Sequence, residues 1–247
     1  VLFDQYVKTN NRASSTPENF ESIRIGTSLV EYYYSEHGRL INFNQGYRKA
    51  GFLLCESCGY AEPLEFTQSS RRPKDNHKTK TGRTCYGKKR HVHLGYEFIT
   101  DILELRFREQ ELIIRNEAEW NSILYALLEG ASICLGVNRD EINGVLYYKN
   151  QGSLPSLMIY DTSPGGAGHV KRIPKNLESI IKEAHKKVSG QCGCGEETSC
   201  YGCLRNYSNQ YIHDLLSRGA ALNFFDSLDL KGLSSVLQTT ADNMYQL

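Results

Sequence analysis

The longest regular pattern of apolar positions runs through residues 117–135, EAEWNSILYALLEGASICL. Trp120, Ile123, Leu124, Leu127, Leu128 and Ala131 recur three and four residues apart, which paints one buried stripe along a helix. Asn116 stands at its N-cap, and Glu119 stands where a capping-box acid reaches back. Cys134 extends the apolar face and reads as a small buried hydrophobe. A second helix is predicted over Pro174–Val188, where Leu177, Ile180, Ile181, Ala184 and Val188 share a face and Pro174 takes a tolerated early position. A third helical stretch spans roughly Ser208–Leu228, with a break or bend at Gly219. Strand patterns fall at Ile23–Leu29, Gly51–Leu54, Leu64–Phe66, Ile142–Tyr148 and Leu154–Tyr160. From Leu94, LGYEFITDILELRF places Phe98, Ile102 and Leu105 in a further strand. Residues 67–90 are nearly devoid of apolar side chains and read as a loop.

These elements predict an α+β fold, a mixed sheet with packed helices. The organisation read from them is a strand-rich part over 1–110 carrying a basic loop at 67–93, a helical part over 111–230, and a tail at 231–247. A single domain is the alternative. The 247 residues are enough to bury a core, and an apolar fraction of 40% with 23% charged residues suits a soluble globular protein. No run of 18 apolar residues is present, so a membrane span is not expected. No basic-then-apolar leader opens the sequence, and Val1 suggests a fragment or a processed chain. The expected compartment is the bacterial or archaeal cytoplasm.

Charge matters only where it is concentrated. The formal net charge is +1, yet Arg71–His93 holds nine Lys or Arg against one acid, Asp75, and the remainder carries −7. The body of the protein would not attract a polyanion, but this loop would. Arg71, Arg72, Lys74, Lys88, Lys89 and Arg90 are its candidate phosphate contacts, with sequence-independent, salt-sensitive affinity for DNA. A solvated surface segment is the competing account.

The cysteines carry the chemistry. Of eight, at 55, 58, 85, 134, 192, 194, 200 and 203, two pairs are spaced as CxxC, in CESC and CYGC. In a chain too long to need disulfide staples, this spacing points to zinc. Cys192, Cys194, Cys200 and Cys203 form a C-x-C-x5-C-x2-C set with glycines at 193, 195 and 202. Four thiolates fill a tetrahedron, so such an ion has no position left for a reactive water. Cys55, Cys58 and Cys85 need a fourth ligand. His77, inside the loop that Cys85 closes, is the favoured one, with His91 and His93 as alternatives. Eight ligands make two zinc sites, and Cys134 is left over.

Catalytic motifs are incomplete. Gly165, Gly166 and Gly168 follow a strand and precede a helix, where glycines can cradle phosphate. SPGGAG nevertheless lacks both the Lys-Ser/Thr ending of a P-loop and the full G-x-G-x-x-G pattern, so a packing turn is the stronger reading. HVK at 169–171 and HKK at 185–187 start like phospholipase D-type motifs, but Asn176 and Cys192 stand where Asp is required. HExxH, GxSxG and DExH are absent, and nothing here binds ATP in the usual way.

FLLCESCGYAEP at 52–63, SLMIYDTSPGGAGHVKRI at 156–173 and CGCGEETSCYGCLRNYSNQYIHDLLSRGAA at 192–221 together resemble the DUF1998 family, also called the MrfA zinc-binding domain. That family occurs at the C-terminal end of superfamily 2 DNA helicases and in the B component of the DISARM antiphage system. The resemblance implies zinc on Cys192, Cys194, Cys200 and Cys203. It also maps the family's Gly-rich turn onto Asp161, Thr162, Pro164, Gly165, Gly166 and Gly168. It implies a non-catalytic accessory module that works with a helicase motor, in cis or in trans, in DNA repair or phage defence. The rivals are a nuclease or other phosphodiesterase using Asp161, His169 and Lys171, and a protein-docking module with no DNA contact. Tyr201, Arg205 and Tyr207 are assigned to packing around the zinc site, with base stacking as the alternative.

Overall fold

The computed structural model describes residues 3–8, 20–26, 28–44, 46, 50–64, 76–107, 116–148 and 154–228. In chain order the strands and helices are β1 (Phe3–Lys8), β2 (Glu21–Ile25), β3 (Ser28–Asn44), β4 (Phe52–Cys55), β5 (Ala61–Pro63), β6 (His77–Lys78), β7 (Thr84–Cys85), β8 (Lys89–Val92) and β9 (Leu94–Arg106). There follow α1 (Glu117–Leu135), β10 (Ile142–Tyr147), β11 (Ser156–Asp161), α2 (Ile173–Val188) and α3 (Arg218–Ser227). Two compact units result. One comprises Val1–Lys8 and Leu40–Phe98, and the other Thr9–Arg39 and Ile99–Leu247. The division therefore does not follow a cut near residue 110, because strands β3 and β9 each contribute to both units. No helix of the described residues is long and apolar enough to cross a membrane.

The larger unit is built on a sheet in the order β3-β9-β11-β10, with β2 paired to β3. The β2/β3, β9/β11 and β10/β11 pairs are antiparallel, and Leu157 faces Leu105 while Ile142 faces Asp161. All six residues of β11 are buried, as expected of a central strand covered on both faces. One strand prediction is corrected. The Ile23–Leu29 run is a hairpin, because Gly26, at φ 58°, turns the chain between β2 and β3. Of the strand expected at Leu64–Phe66 only Leu64 is among the described residues; it follows β5, and its N–H donates to the Gly51 carbonyl.

Helix α1 has the predicted limits. Asn116 accepts from the Glu119 N–H and donates its side-chain amide to the Glu119 carboxylate, and Gly136 closes the C-terminus at φ 64°. Its burial exceeds a stripe, since every residue from Ser122 to Leu128 is buried. The helix is enclosed over these middle turns, where it packs on β10, α2 and α3, while Glu117 and Ile133 nearer its ends stay exposed. α2 keeps the single predicted face of Leu177, Ile180, Ile181, Ala184 and Val188. The third helical stretch breaks at Leu216–Ser217 and not at Gly219. A 3-10 helix over Tyr207–Leu215 ends there, and Ser217 caps α3 by accepting from Ala220.

One close approach in this core is between α1 and α2. A Cβ on Gly130 would lie 2.3 Å from the Ile180 carbonyl oxygen and 2.8 Å from the Ala184 nitrogen. Helix propensity favours alanine over glycine by about 1 kcal/mol, but overpacking of this kind costs about 1–3 kcal/mol. Gly130→Ala is therefore expected to lower the urea midpoint of the chain, followed by the fluorescence of its one tryptophan, Trp120. A midpoint that stays or rises would rule out this tight crossing.

Candidate metal centres

The second cysteine set occupies the turns between α2 and the 3-10 helix. The Sγ atoms of Cys192 and Cys194 are 3.4 Å apart, those of Cys194 and Cys203 3.7 Å, and those of Cys200 and Cys203 3.8 Å. All four lie within 4.8 Å of one another. A tetrahedral ion with Zn–S bonds near 2.3 Å spaces its sulfurs about 3.8 Å apart, whereas a disulfide closes to about 2.0 Å. All eight cysteines are free thiols, so the set has the dimensions of a metal cage and not of a bridge. Backbone N–H groups of Cys200 and Gly202 point at the sulfurs of Cys203 and Cys200, at 3.2 and 3.3 Å. The Cys194 N–H, working against desolvation, helps bring the Cys192 thiol down to about 7. Burial pushes Cys203 up to about 12.

This cage is part of the core. Cys203 and Leu204 are buried in the hydrophobic cluster of the larger unit, and Cys192, Cys194 and Cys200 pack against it. The segment after it explains the LRNYSN run residue by residue. Arg205 donates to the Ser199 hydroxyl, and Asn206 caps the 3-10 helix by accepting from the Asn209 N–H. Buried Asn209 ties its amide back to the Leu204 carbonyl at 2.9 Å. Tyr201 is 67% exposed and meets only the edge of His213, at 5.5 Å, and Tyr207 is 85% exposed, so neither is enclosed around the cage.

The first set is assembled from two hairpins of the smaller unit. β4 ends on Cys55, the CESC turn carries Cys58, and the β6–β7 pair sets His77 opposite Cys85. Sγ of Cys55 lies 3.8 Å from that of Cys85, and Sγ of Cys58 lies 3.0 Å from His77 Nε2. These four ligand atoms also fall within 4.8 Å. Tyr60 stacks on the His77 ring at 4.8 Å, and the ring's Nδ1 is buried without a hydrogen-bond partner. Desolvation draws the Cys55 thiol upward, but the Cys58 and Ser57 N–H groups and the neighbouring thiols bring it down to about 7. His91 is turned to the Ala50 carbonyl at 2.6 Å, and His93 meets its edge. Of the three candidate histidines, the structure brings His77 to the thiols. Cys134 lies on α1 against the core, outside both cages. Two closed Cys/His cages thus fit two zinc ions.

The Gly-rich turn is already filled by the protein's own acids. Asp161 is fully buried and accepts from the N–H groups of Ala167, His169 and Val170 at 2.7–3.1 Å. Asp101, also buried, accepts from Gly168 at 3.0 Å. Thr100 donates to the Asp161 and Ser163 carbonyls, and Thr162 to that of Asp140. Pro164 and Gly165 lie on its exposed outer side, and the Gly165 N–H donates to the Ile99 carbonyl. Four amides that might have cradled a phosphate therefore face two carboxylates. Lys171 pairs with Glu36 at 2.7 Å, and His169 lies 3.8 Å from Glu141.

The basic run is ordered by the first cage. Exposure alternates without a break from Thr84 to Arg90. Thr84, Tyr86, Lys88 and Arg90 are exposed, and Cys85, Gly87 and Lys89 are half-buried. The loop expected over 67–90 is interrupted, from residue 77 onward, by the short strands β6 and β7 and the start of β8, with turns and irregular backbone between them. Lys89 is no phosphate contact. Its side chain is 6% exposed and pairs with Glu62 at 2.7 Å, because the period of the strand turns it inward. Arg71, Arg72 and Lys74 lie outside the described residues.

Residues 123–204, about a third of the chain, match the family model of the MrfA Zn-binding domain. Druantia protein DruE of Escherichia coli (strain UMEA 4076-1) is 27% identical over 232 residues, covering 83% of this chain and 12% of DruE. The DUF1998 helicase MrfA, in a crystal structure bound to DNA, is 15% identical with a TM-score of 0.50, covering 91% of this chain and 25% of the helicase. That likeness shows a shared fold, and the family match bears out the resemblance carried by the cysteine motif. The chain spans a small fraction of either relative's length.

Elemental analysis of the purified chain should return two zincs, falling to one in Cys203→Ser and in His77→Ala and staying at two in Cys134→Ala. A His77→Ala protein that keeps both would move the fourth ligand elsewhere. Asp161→Asn should lower stability by about 2 kcal/mol or more, since an amide replaces a charged acceptor and turns a donor toward donors. An unchanged melting temperature would mean that the turn does not depend on this carboxylate.

Proposed function

We propose that this chain is a non-catalytic zinc-binding accessory module of a DNA helicase system, serving DNA repair or antiphage defence. Zinc supplies shape here and no reactive water, because each cage offers four protein ligands to a four-coordinate ion. The observation that carries the reading is the cage-held run 84–90, which turns Lys88 and Arg90 outward. Residues 76–93 contain six Lys or Arg and no Asp or Glu, so their field is of one sign. Lys88 and Arg90 meet DNA phosphates, and the motor, in cis or in trans, moves the strand. The helicase context draws support from the likeness to MrfA and the relation to DruE.

Two of the three residues of the phosphodiesterase reading are engaged within the protein. Asp161 is spent on three amides, and Lys171 is paired with Glu36. A role in assembly with the motor has its own observation. Tyr207, Tyr211 and Leu215, along the 3-10 helix, are 85%, 51% and 53% exposed.

Labelled DNA incubated with excess chain, with and without Mg²⁺, should remain intact, and cleavage that disappears in His169→Ala would sink the non-catalytic reading. In fluorescence anisotropy, replacing Lys88 and Arg90 by alanine should weaken binding to all sequences alike. It should also make the plot of log affinity against log salt shallower by about 1.4 to 1.8, as expected for two lost phosphate contacts. Lys89→Ala should act on zinc retention instead. Equal binding by the Lys88/Arg90 variant would leave the module without its DNA face.

A further inference from the structure

The alternation over 84–90 does more than expose two cations. Cys85 turns into the cage, and Lys89 turns to Glu62. Gly87 lies so close to the CESC turn that a Cβ there would fall 2.4 Å from Ser57 Oγ and 2.7 Å from Cys55 Sγ. The Gly87 N–H donates to Cys85 Sγ at 3.3 Å. The inward side is therefore clamped at three successive alternate positions. The outward side presents Tyr86, Lys88 and Arg90 in that order, one ring and two cations. Tyr86 and Lys88 lie in the three-residue connection between β7 and β8, and Arg90 lies in β8. Each can meet a separate group of one strand.

Tyr86 is 77% exposed, although it is flanked by residues held against the metal cage. A large ring in water contributes nothing to this small unit's packing, while its rigid base means that little freedom is lost when a partner covers it. Its neighbours select the partner. Lys88 and Arg90 follow it, and Lys78, Lys80 and Arg83, exposed in or beside the β6–β7 hairpin, add to the same basic unit. The acid nearest Arg90 is Glu56, in an exposed pair at 4.0 Å that solvent screens. A flat ring beside cations suits a polyanion that also offers π-faces. A DNA duplex offers its phosphates outward but keeps its base faces stacked, whereas an unpaired strand offers both.

We infer that Tyr86 is a base-stacking residue and that the face it forms with Lys88 and Arg90 selects unpaired over paired DNA. This rests on the DNA-binding reading above, and its test separates the two. The zinc-loaded full chain is titrated against a labelled dT oligonucleotide, an abasic oligonucleotide with the same number of phosphates, and a blunt duplex of equal length. The wild type should bind dT more tightly than either of the others. Tyr86→Ala and Tyr86→Leu should each weaken dT binding by about fivefold or more, down to the abasic level. Neither should change abasic or duplex binding, and Tyr86→Phe should behave as wild type. Zinc content, still two per chain, certifies that each variant keeps its cage.

If Tyr86→Leu weakens dT and abasic binding equally, or neither, while the Lys88/Arg90 variant still loses affinity, stacking is overturned and the phosphate face stands. If the Lys88/Arg90 variant binds dT as wild type does, the DNA reading itself falls, and the inference with it.

Discussion

A tetrahedral zinc ion that takes four side chains is indifferent to what surrounds it but strict about where its ligands stand. Both cages place that demand on segments with little regular structure of their own. In the larger unit the ligands Cys192–Cys203 lie between the end of α2 and the cap of the 3-10 helix, and Cys203 is also a core residue. Coordination and hydrophobic packing are coupled at that residue. Moving it out of the cage would withdraw Leu204 from the core and untie the Asn206–Asn209 cap. The same strictness acts in the smaller unit, where the cage decides which side of a basic strand faces water.

The elements that could be read from sequence are those whose signals are local. Helix α1 was legible over its length because Asn116 marks its start and six apolar positions mark its stripe. The burial of its middle turns beyond that stripe was not legible, since Ser122, Tyr125 and Gly130 carry no apolar signature and their burial depends on neighbouring elements. The seventeen residues of β3, SLVEYYYSEHGRLINFN, mix tyrosines and charges and give no clean period of two. Both cysteine sets were legible because metal-ligand spacing is a local property. His77 could be favoured only because Cys85 closes the loop around it. A run such as KKRH looks uniformly solvated, and nothing in it sets Lys89 apart from Lys88 until strand pairing assigns them opposite sides.

The Gly-rich turn shows why composition alone misjudges a nest of amides. Glycines after a strand and before a helix suit a bound anion, and the structure agrees that anions are there. They are Asp161 and Asp101, delivered by β11 and β9, and the amides hold a strand end to a helix start. Whether such a turn binds phosphate or merely packs depends on which carboxylate the fold brings to it. Asp101, sixty residues upstream in the chain from Asp161, could not be connected to it by any local pattern.

The two cages also do different amounts of work for their units. The continuous hydrophobic core, with all of its members, lies in the larger unit. In the smaller unit the buried hydrophobic residues among those described are Leu40, Ala50 and Cys55 alone. Its strands β4 to β8 are two to four residues long. With so few buried apolar side chains among its described residues, this unit depends on its metal site to offset chain entropy more than the larger unit does. The consequence reaches function. A face of Tyr86, Lys88 and Arg90 mounted on a hydrophobic core would persist without metal, whereas here the alternation that creates the face is enforced by Cys85 and the Gly87 contact with the cage. On the proposed reading, zinc in this unit is a binding determinant without touching the ligand, whereas the cage in the larger unit is a fastener within a core that is already extensive.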